Sequence, residues 1–282
     1  MINKALNIIL DILDRQRMAI ALAKGAAARS ARHIDYSDPL TWEFSGFSQN
    51  GEDGILDVLL GKLVKRNRYF VEIGASDGIE NNTAWLAAVG NYNGLMIEGD
   101  ESLVKRANRL IARLSVGLVC HALFVTKQTL QEIKAMSVHM DPDVFSLDID
   151  GVDYHIANEI FSLGFRPKIF VVEYNAVYGP DRCLTVPYDP GFDFSTADET
   201  QLYYGVSIAG WRRFFDTQGY RFVTVDANGV NGFFVDPGCF DESFLDDIEG
   251  LAFAENQYQR RKFGFTSEKQ FELIEQREFI EI

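Results

Sequence analysis

Apolar residues in this chain recur at two spacings, and the spacing changes many times along it. At the start Ile2, Leu6, Ile9, Leu13 and Ile20 fall at three- and four-residue steps, the period of one helix face. Asp11, Arg15 and Arg17 belong to the other side, so residues 1–33 are expected to form one amphipathic helix. The same period returns over 54–65 through Ile55, Val58, Leu59 and Leu63. Helices are expected again over 83–89, 102–114 and 154–163, the last stopped by Gly164. Between them stand short runs rich in β-branched and aromatic residues: 68–73 (RYFVEI), 94–98 (GLMIE), 116–124, 144–147 and 168–173 (KIFVVE). Strand alternating with helix in this way predicts an α/β protein with a parallel sheet covered on both faces.

The pattern then changes. A helix over 208–218 ends at Gly219, a strand follows over 220–225, the turn signal Asp226-Ala-Asn-Gly229 comes next, and 232–235 (GFFV) is a second strand. That is a helix followed by a β-hairpin. Ala26–Ala28 and the polar residues through Pro39 read as a connector, and 240–282 is acidic and helical in character without a chemical motif. The expected organisation is a helical extension (1–40), a main domain (41–240) and a second helical extension (241–282). Residues 176–206 have little regular pattern, and long loops in a compact domain usually carry function. They hold Tyr178, Tyr188, Tyr203 and Tyr204; a tyrosine ring offers a flat apolar face and a hydroxyl, so this stretch is expected either to contact substrate or to pack as a loop.

Composition narrows the picture. A chain of 282 residues that is 47% apolar, with 22 Phe, can bury one large core. With 27 basic and 41 acidic residues its net charge is −14, which repels phosphate backbones, so nucleic acid is not expected as a partner. Lys105, Arg106, Arg109 and Arg113 on one helix face, and the run 259–262, are expected to be solvated. Cys120, Cys183 and Cys239 show no disulfide or zinc spacing, which suits a reducing, cytoplasmic setting. No stretch of about 18 uninterrupted apolar residues occurs, so no transmembrane helix is expected. The N-terminal helix is expected to pack on the main domain, to join a second copy in a homo-oligomer, or to dock on a membrane surface.

The densest chemical signal is 72–78 (EIGASDG), directly after the first strand. Glycines at a strand-to-helix turn let the backbone approach a ligand. A dinucleotide fingerprint would need a middle glycine where Ser76 stands. Glu72 and Asp77 would also repel a pyrophosphate, whereas the sulfonium and amino group of S-adenosylmethionine (SAM) would be attracted. Glu98 ends the second strand 26 residues after Glu72 (98 − 72), where an acid can accept hydrogen bonds from both ribose hydroxyls. The fourth and fifth strands end in Asp148 and Glu173, and adjacent parallel strands bring their C-terminal ends together where ligands bind. Oxygen ligands of this kind suit Mg²⁺ or another hard cation.

Five stretches together resemble the FkbM-type class I methyltransferases: 48–53 (SQNGED), 70–78 (FVEIGASDG), Asn82-Thr83, 94–98 (GLMIE) and 146–151 (SLDIDG). The resemblance covers roughly residues 45–235. It implies a Rossmann-like seven-stranded SAM-binding sheet whose reversed last strand makes the hairpin, and O-methylation, often of sugars or sugar-bearing products. Its cofactor residues carry over to Glu72, Gly74, Ser76, Asp77, Gly78 and Glu98, with Ser48 and Gln49 close to the cofactor. The strand ends are also similar to those of the catechol and macrolide-sugar O-methyltransferases, which implies a divalent metal on Asp148, Glu173 and Asn175; alternatively Asp148 contacts SAM or substrate directly. Asp148 is the candidate catalytic carboxylate that helps to deprotonate the acceptor, with His155 a candidate base or a structural histidine. The expected function is SAM-dependent O-methyl transfer to a hydroxyl of a sugar, polysaccharide or glycosylated metabolite. The rivals are an NAD-dependent sugar-modifying oxidoreductase and a non-catalytic scaffold on the same fold.

Overall fold

Residues along each central strand point alternately into two hydrophobic layers, and this alternation organises the molecule. The computed structural model describes residues 2–111 and 117–282, with the backbone alone for 2–8. In chain order its first half holds α1 (Ile2–Ala31), α2 (Glu52–Lys62), β1 (Tyr69–Ile73), α3 (Ala84–Val89), β2 (Asn93–Glu98), α4 (Glu101–Ile111), β3 (Leu118–Ala122), α5 (Leu130–Met136) and β4 (Val144–Leu147). The second half holds α6 (Asp153–Ser162), β5 (Ile169–Glu173), β6 (Leu184–Thr185), α7 (Phe194–Ala197), α8 (Ile208–Thr217), β7 (Arg221–Val225), β8 (Asn231–Val235), α9 (Glu242–Asp246), α10 (Gln257–Phe263), α11 (Ser267–Phe271) and β9 (Ile280–Glu281).

Seven strands form one mixed sheet in the order β3-β2-β1-β4-β5-β8-β7. β1 to β5 are parallel, and β8 enters antiparallel between β5 and β7. Tyr69, Val71, Ile73, Phe170 and Val172 face a layer built on α5, α6 and α8. Phe70, Ile169 and Val171 face the opposite layer, built on α2, α3, α4 and α9. The expected seven-stranded sheet, with helices on both faces, a reversed hairpin strand and an N-terminal helix, is therefore present. Strand order reverses between β1 and β4, so the loops after these strands part in opposite directions and leave a crevice at their C-terminal ends.

The N-terminal helix packs on the domain, but not by the stripe expected from the sequence. Met18 is buried with Phe44, Phe47 and Trp85. Arg106 donates to Asp14 at 2.5 Å, and Arg17 to Asp77 at 2.7 Å and Glu80 at 2.6 Å. Ile9, Leu13 and Ile20 point away and remain 51–67% exposed. Charged residues took the inward side because Arg106, Asp77 and Glu80 opposite them supply ion-pair partners, which apolar periodicity cannot reveal. Among the described residues no helix is long and apolar enough to cross a membrane. The expectations for Arg113, Leu114 and Val116, and for the side chains of Ile2 and Leu6, lie outside the described residues.

Candidate functional site

The crevice opens into a cavity of about 520 Å³, lined from the loops after β1, β2, β3 and β4, from the start of α2, and from 189–192 and 230–231. Its construction begins at Gly74. The Gly74 and Ala75 amides donate to the Ile97 carbonyl at 2.9 and 3.0 Å, which draws the β1 loop across the end of β2. Gly74 has φ +87°, and a Cβ there would lie 1.6 Å from the Asp148 carbonyl oxygen. Only glycine combines this conformation with so close an approach to the β4 loop.

Glu98 closes this corner. Its two carboxylate oxygens accept from the Ser76 amide at 2.8 Å and the Asp100 amide at 2.9 Å. That fixes the carboxylate while leaving lone pairs free for a ligand. Ile97, Leu103, Leu123, Phe124 and Val125 form an apolar end beside it, with the Phe124 ring 60% exposed. Glu72 lies deeper, accepting from the Asn82 amide at 2.9 Å and from the Thr83 hydroxyl. Burial is the largest influence on it and pushes its carboxyl up to about 7.

The other side of the crevice is a turn held from below. Asp153, at the start of α6, accepts from the Ile149 amide at 3.0 Å and the Gly151 amide at 2.9 Å. This locks the 148–151 turn, in which Asp150 takes the left-handed value φ +50°. One carboxylate oxygen each from Asp148, Asp150 and Glu173 lie within 4.8 Å of one another. Burial, then mutual repulsion with Asp150 and Asp153, holds the Asp148 carboxyl well above its usual range. Glu173 is raised well above its range too, by burial and then by Asp148 and Asp150, against a weak hydrogen bond from Tyr204 at 3.4 Å. Bonds of roughly 2.1–2.5 Å let a hard cation bridge oxygens at this separation.

The cavity lining carries the carboxylates of Glu52, Glu72, Glu80, Glu98, Asp148, Asp150 and Asp189 and, among the described residues, no Lys, Arg or His. Among the described residues only Glu80 of these carboxylates has a basic partner, Arg17 at 2.6 Å, so a cation or a good hydrogen-bond donor is the ligand that the cavity suits.

Solved structures with similar backbones include several methyltransferases. An O-methyltransferase from Bacillus cereus in complex with S-adenosylhomocysteine (SAH) is 19% identical, over 78% of this chain and 89% of that one, with a TM-score of 0.42. A SAM-dependent methyltransferase from Geobacter sulfurreducens in complex with SAH is 14% identical, over 70% of each chain, at 0.39. An SAH-bound methyltransferase from Podospora anserina is 12% identical, over 60% of this chain and 71% of that one, at 0.41. These scores are low, and the fold assignment stands on the sheet order and the reversed β8.

The fold is that of the class I methyltransferases.

The narrower resemblance to the FkbM-type family is corrected: no protein-family model matches the chain, and the three solved structures named above are methyltransferases described in other terms. No curated protein matches it either. Much of the motif that carried the resemblance has a local structural role. Ser48 does not line the cavity; its hydroxyl accepts from the Asp53 amide at 3.0 Å, and Asp53 in turn accepts from the amides of Gly46, Phe47 and Ser48.

Of the residues expected at the site, Gln49, Glu72, Gly74, Ser76, Glu98 and Asp148 line the cavity, and Glu173 joins Asp148 from the end of β5. The others are placed elsewhere. Asp77 accepts from Arg17 and Arg106 and caps the Ile79 amide, so it anchors α1 and α4 rather than facing the cavity. Gly78 packs on α4, where a Cβ would come within 2.8 Å of Ala107. Asn175, expected in the metal set, is engaged by the backbone: its oxygen accepts from the Val177 amide, and its amino group donates to the carbonyls of Leu202 and Tyr204. The acid that lies with Asp148 and Glu173 is Asp150. His155, expected as a base or a structural histidine, lies outside the cavity lining. Its Nε2 bonds the Val186 carbonyl at 3.0 Å, and its ring lies against Tyr154 and Tyr188.

Sequence reasoning missed Glu52, Asn82, Asn231 and Phe124 as lining residues. Asn231 could have been found from topology, since its position on β8 pairs with Glu173. The tyrosines of 176–206 do not line the cavity either; from that stretch Asp189, Pro190 and Phe192 do.

Proposed function

We propose that this chain is a SAM-dependent O-methyltransferase acting on a hydroxyl of a sugar or glycan, with a divalent cation such as Mg²⁺ held by Asp148, Asp150 and Glu173. The observation that carries the reading is the carboxylate-lined cavity without a basic side chain at the switch point of a class I methyltransferase sheet.

The residues fit the cofactor. A volume of about 520 Å³ suits a ligand of nucleoside size. Glu98 retains acceptor capacity for ribose hydroxyls, and the apolar end around Phe124 and Leu103 offers a flat face to a base ring. Glu72 and Glu52, both buried, favour a positive amino group and sulfonium deeper in the cavity. When bound, SAM supplies an electrophilic methyl group. The donor set of three carboxylates fits a hard cation, which would lower the proton affinity of a coordinated hydroxyl.

The chain's own residues then orient and deprotonate the acceptor. Asp148 and Glu173 hold protons more tightly than ordinary carboxylates in the metal-free site; a bound cation would displace those protons, and a carboxylate oxygen that the cation leaves free would accept the hydroxyl proton. Vicinal hydroxyls match a three-carboxylate site because both oxygens can approach one cation. Phe192 supplies an apolar face beside this turn. The carboxylates repel phosphate, so neutral glycosides are the acceptors of choice over sugar phosphates. The test is SAH release from SAM with methyl glycosides and with sugar phosphates, in Mg²⁺ and after chelation. Turnover with neutral glycosides that chelation abolishes supports the reading; turnover only with phosphorylated acceptors contradicts it.

A further inference from the structure

Residues 186–205 form one wall of the cavity through Asp189, Pro190 and Phe192, yet their only regular element is the four-residue α7. A segment with so few backbone bonds of its own must be held by something else. The structure supplies the C-terminal segment, which the sequence left without a role.

Three sets of contacts tie the two together. β9 pairs antiparallel with β6 (Leu184 with Glu281, Thr185 with Ile280), and the Ile282 amide donates to the Cys183 carbonyl at 3.0 Å. Arg277 donates through Nε and Nη2 to one oxygen of Asp198, at 2.8 and 2.6 Å, and the Asp198 side chain is only 6% exposed. Tyr203 donates its hydroxyl to the Glu278 carbonyl, and its ring lies 5.3 Å from that of Phe279 and 6.3 Å from that of Phe192. Phe192 rests on the acid turn itself: a Cβ on Gly151 would lie 3.1 Å from its Cδ1. A continuous path of contacts thus runs from the chain end, through Tyr203, to the residue beside Asp150.

We propose that residues 277–282 are a clamp that holds Phe192 over the Asp150-Gly151 turn and thereby sets which acceptors reach the carboxylates. Arg277 and Tyr203 are positioning residues: they touch no reacting atom and act through the 186–205 wall. The acceptor clause rests on the methyl-transfer reading above, while the clamp itself does not.

The experiment compares the full chain with Arg277→Ala, Tyr203→Phe and a chain ending at Gln276. Hydrogen–deuterium exchange reads the 186–205 amides, calorimetry reads SAH affinity, and SAH release reads turnover with methyl glycosides of one and of two rings. In the shortened chain and in Arg277→Ala, exchange over 186–205 is expected to rise about tenfold or more while β1 to β5 stay protected. SAH affinity is expected to stay within about twofold of the full chain (well under the factor of ten that 1.4 kcal/mol represents). The one-ring to two-ring preference is expected to shift through KM, with kcat less affected. Tyr203→Phe, which removes one hydroxyl, should move both readouts in the same direction by less. Unchanged exchange in the shortened chain overturns the clamp. Raised exchange with an unchanged ring preference overturns its part in specificity. No SAH binding by the full chain removes the acceptor clause, and the exchange data still decide the clamp.

Discussion

Gly74→Ala tests whether the β1 loop is built as described. The substitution has two costs. Gly74 sits at φ +87°, where an L-residue loses about 1–2 kcal/mol. The added methyl would also lie 1.6 Å from the Asp148 carbonyl oxygen, so the β1 and β4 loops must separate, which for a tightly packed site costs about 1–3 kcal/mol. The sum is about 2–5 kcal/mol. For a chain of this size each kcal/mol lowers Tm by about 2–4 °C, so a drop of roughly 5–20 °C is expected in thermal unfolding followed by circular dichroism. The same displacement moves Asp148 relative to Glu98, and misplacement of about 1 Å in a site can weaken function by about a hundredfold; SAH titration should therefore show a large loss of affinity. A variant with Tm within about 2 °C of the parent and unaltered SAH binding would refute the close approach of the two loops.

Three further outcomes follow from the site. Glu98→Ala should weaken SAH binding by about 1.5–3 kcal/mol, the worth of hydrogen bonds to a charged group, with the far-ultraviolet dichroism preserved; an equal affinity would remove Glu98 from ligand binding. Free protein should be more stable at pH 5.5 than at pH 8. Glu72 is raised to about 7, Asp153 to about 6, and Asp148 and Glu173 well above their range, so the folded state binds more protons than the unfolded one. That stability is complete below the ordinary carboxylate range and is lost as pH rises through about 7; for Glu72 alone, 2% exposed, the ceiling is about 3 kcal/mol. Melting curves that rise with pH over this window would contradict it. Mn²⁺ bound by Asp148, Asp150 and Glu173 must displace those protons, so its affinity should climb between pH 6 and pH 8 by up to about tenfold per unit for each proton released, and Asp150→Asn should reduce it. A pH-independent affinity, or one untouched in Asp150→Asn, would argue against the three-carboxylate site.

The sheet was legible because its signals are local. The runs FVEI and IFVVE, buried on both faces, differ from the 3.6-residue spacing of α2 and α6, and glycines mark the turns. Glu72, Glu98 and Asp148 were legible as cavity residues because each follows from its place at or just after the end of a parallel strand. What escaped depends on contacts distant in sequence. Asp77 stands in the glycine-rich turn, but Arg17, sixty positions earlier, turns it into an anchor for α1. Asn175 has a ligand's chemistry, yet the carbonyls of Leu202 and Tyr204 occupy its amino group. The short α5 carries only Leu130 and Ile133 as buried apolar positions, too few to show a period. β6 and β9 are two residues each and exist because the chain end returns to pair with the loop.

The central claim is that the carboxylate-lined crevice binds SAM. Calorimetric titration of the full chain with SAH, beside Glu98→Ala, tests it most directly. Saturable one-site binding by the full chain and a clear weakening in the variant are expected. The absence of binding by the full chain, with and without Mg²⁺, would contradict it.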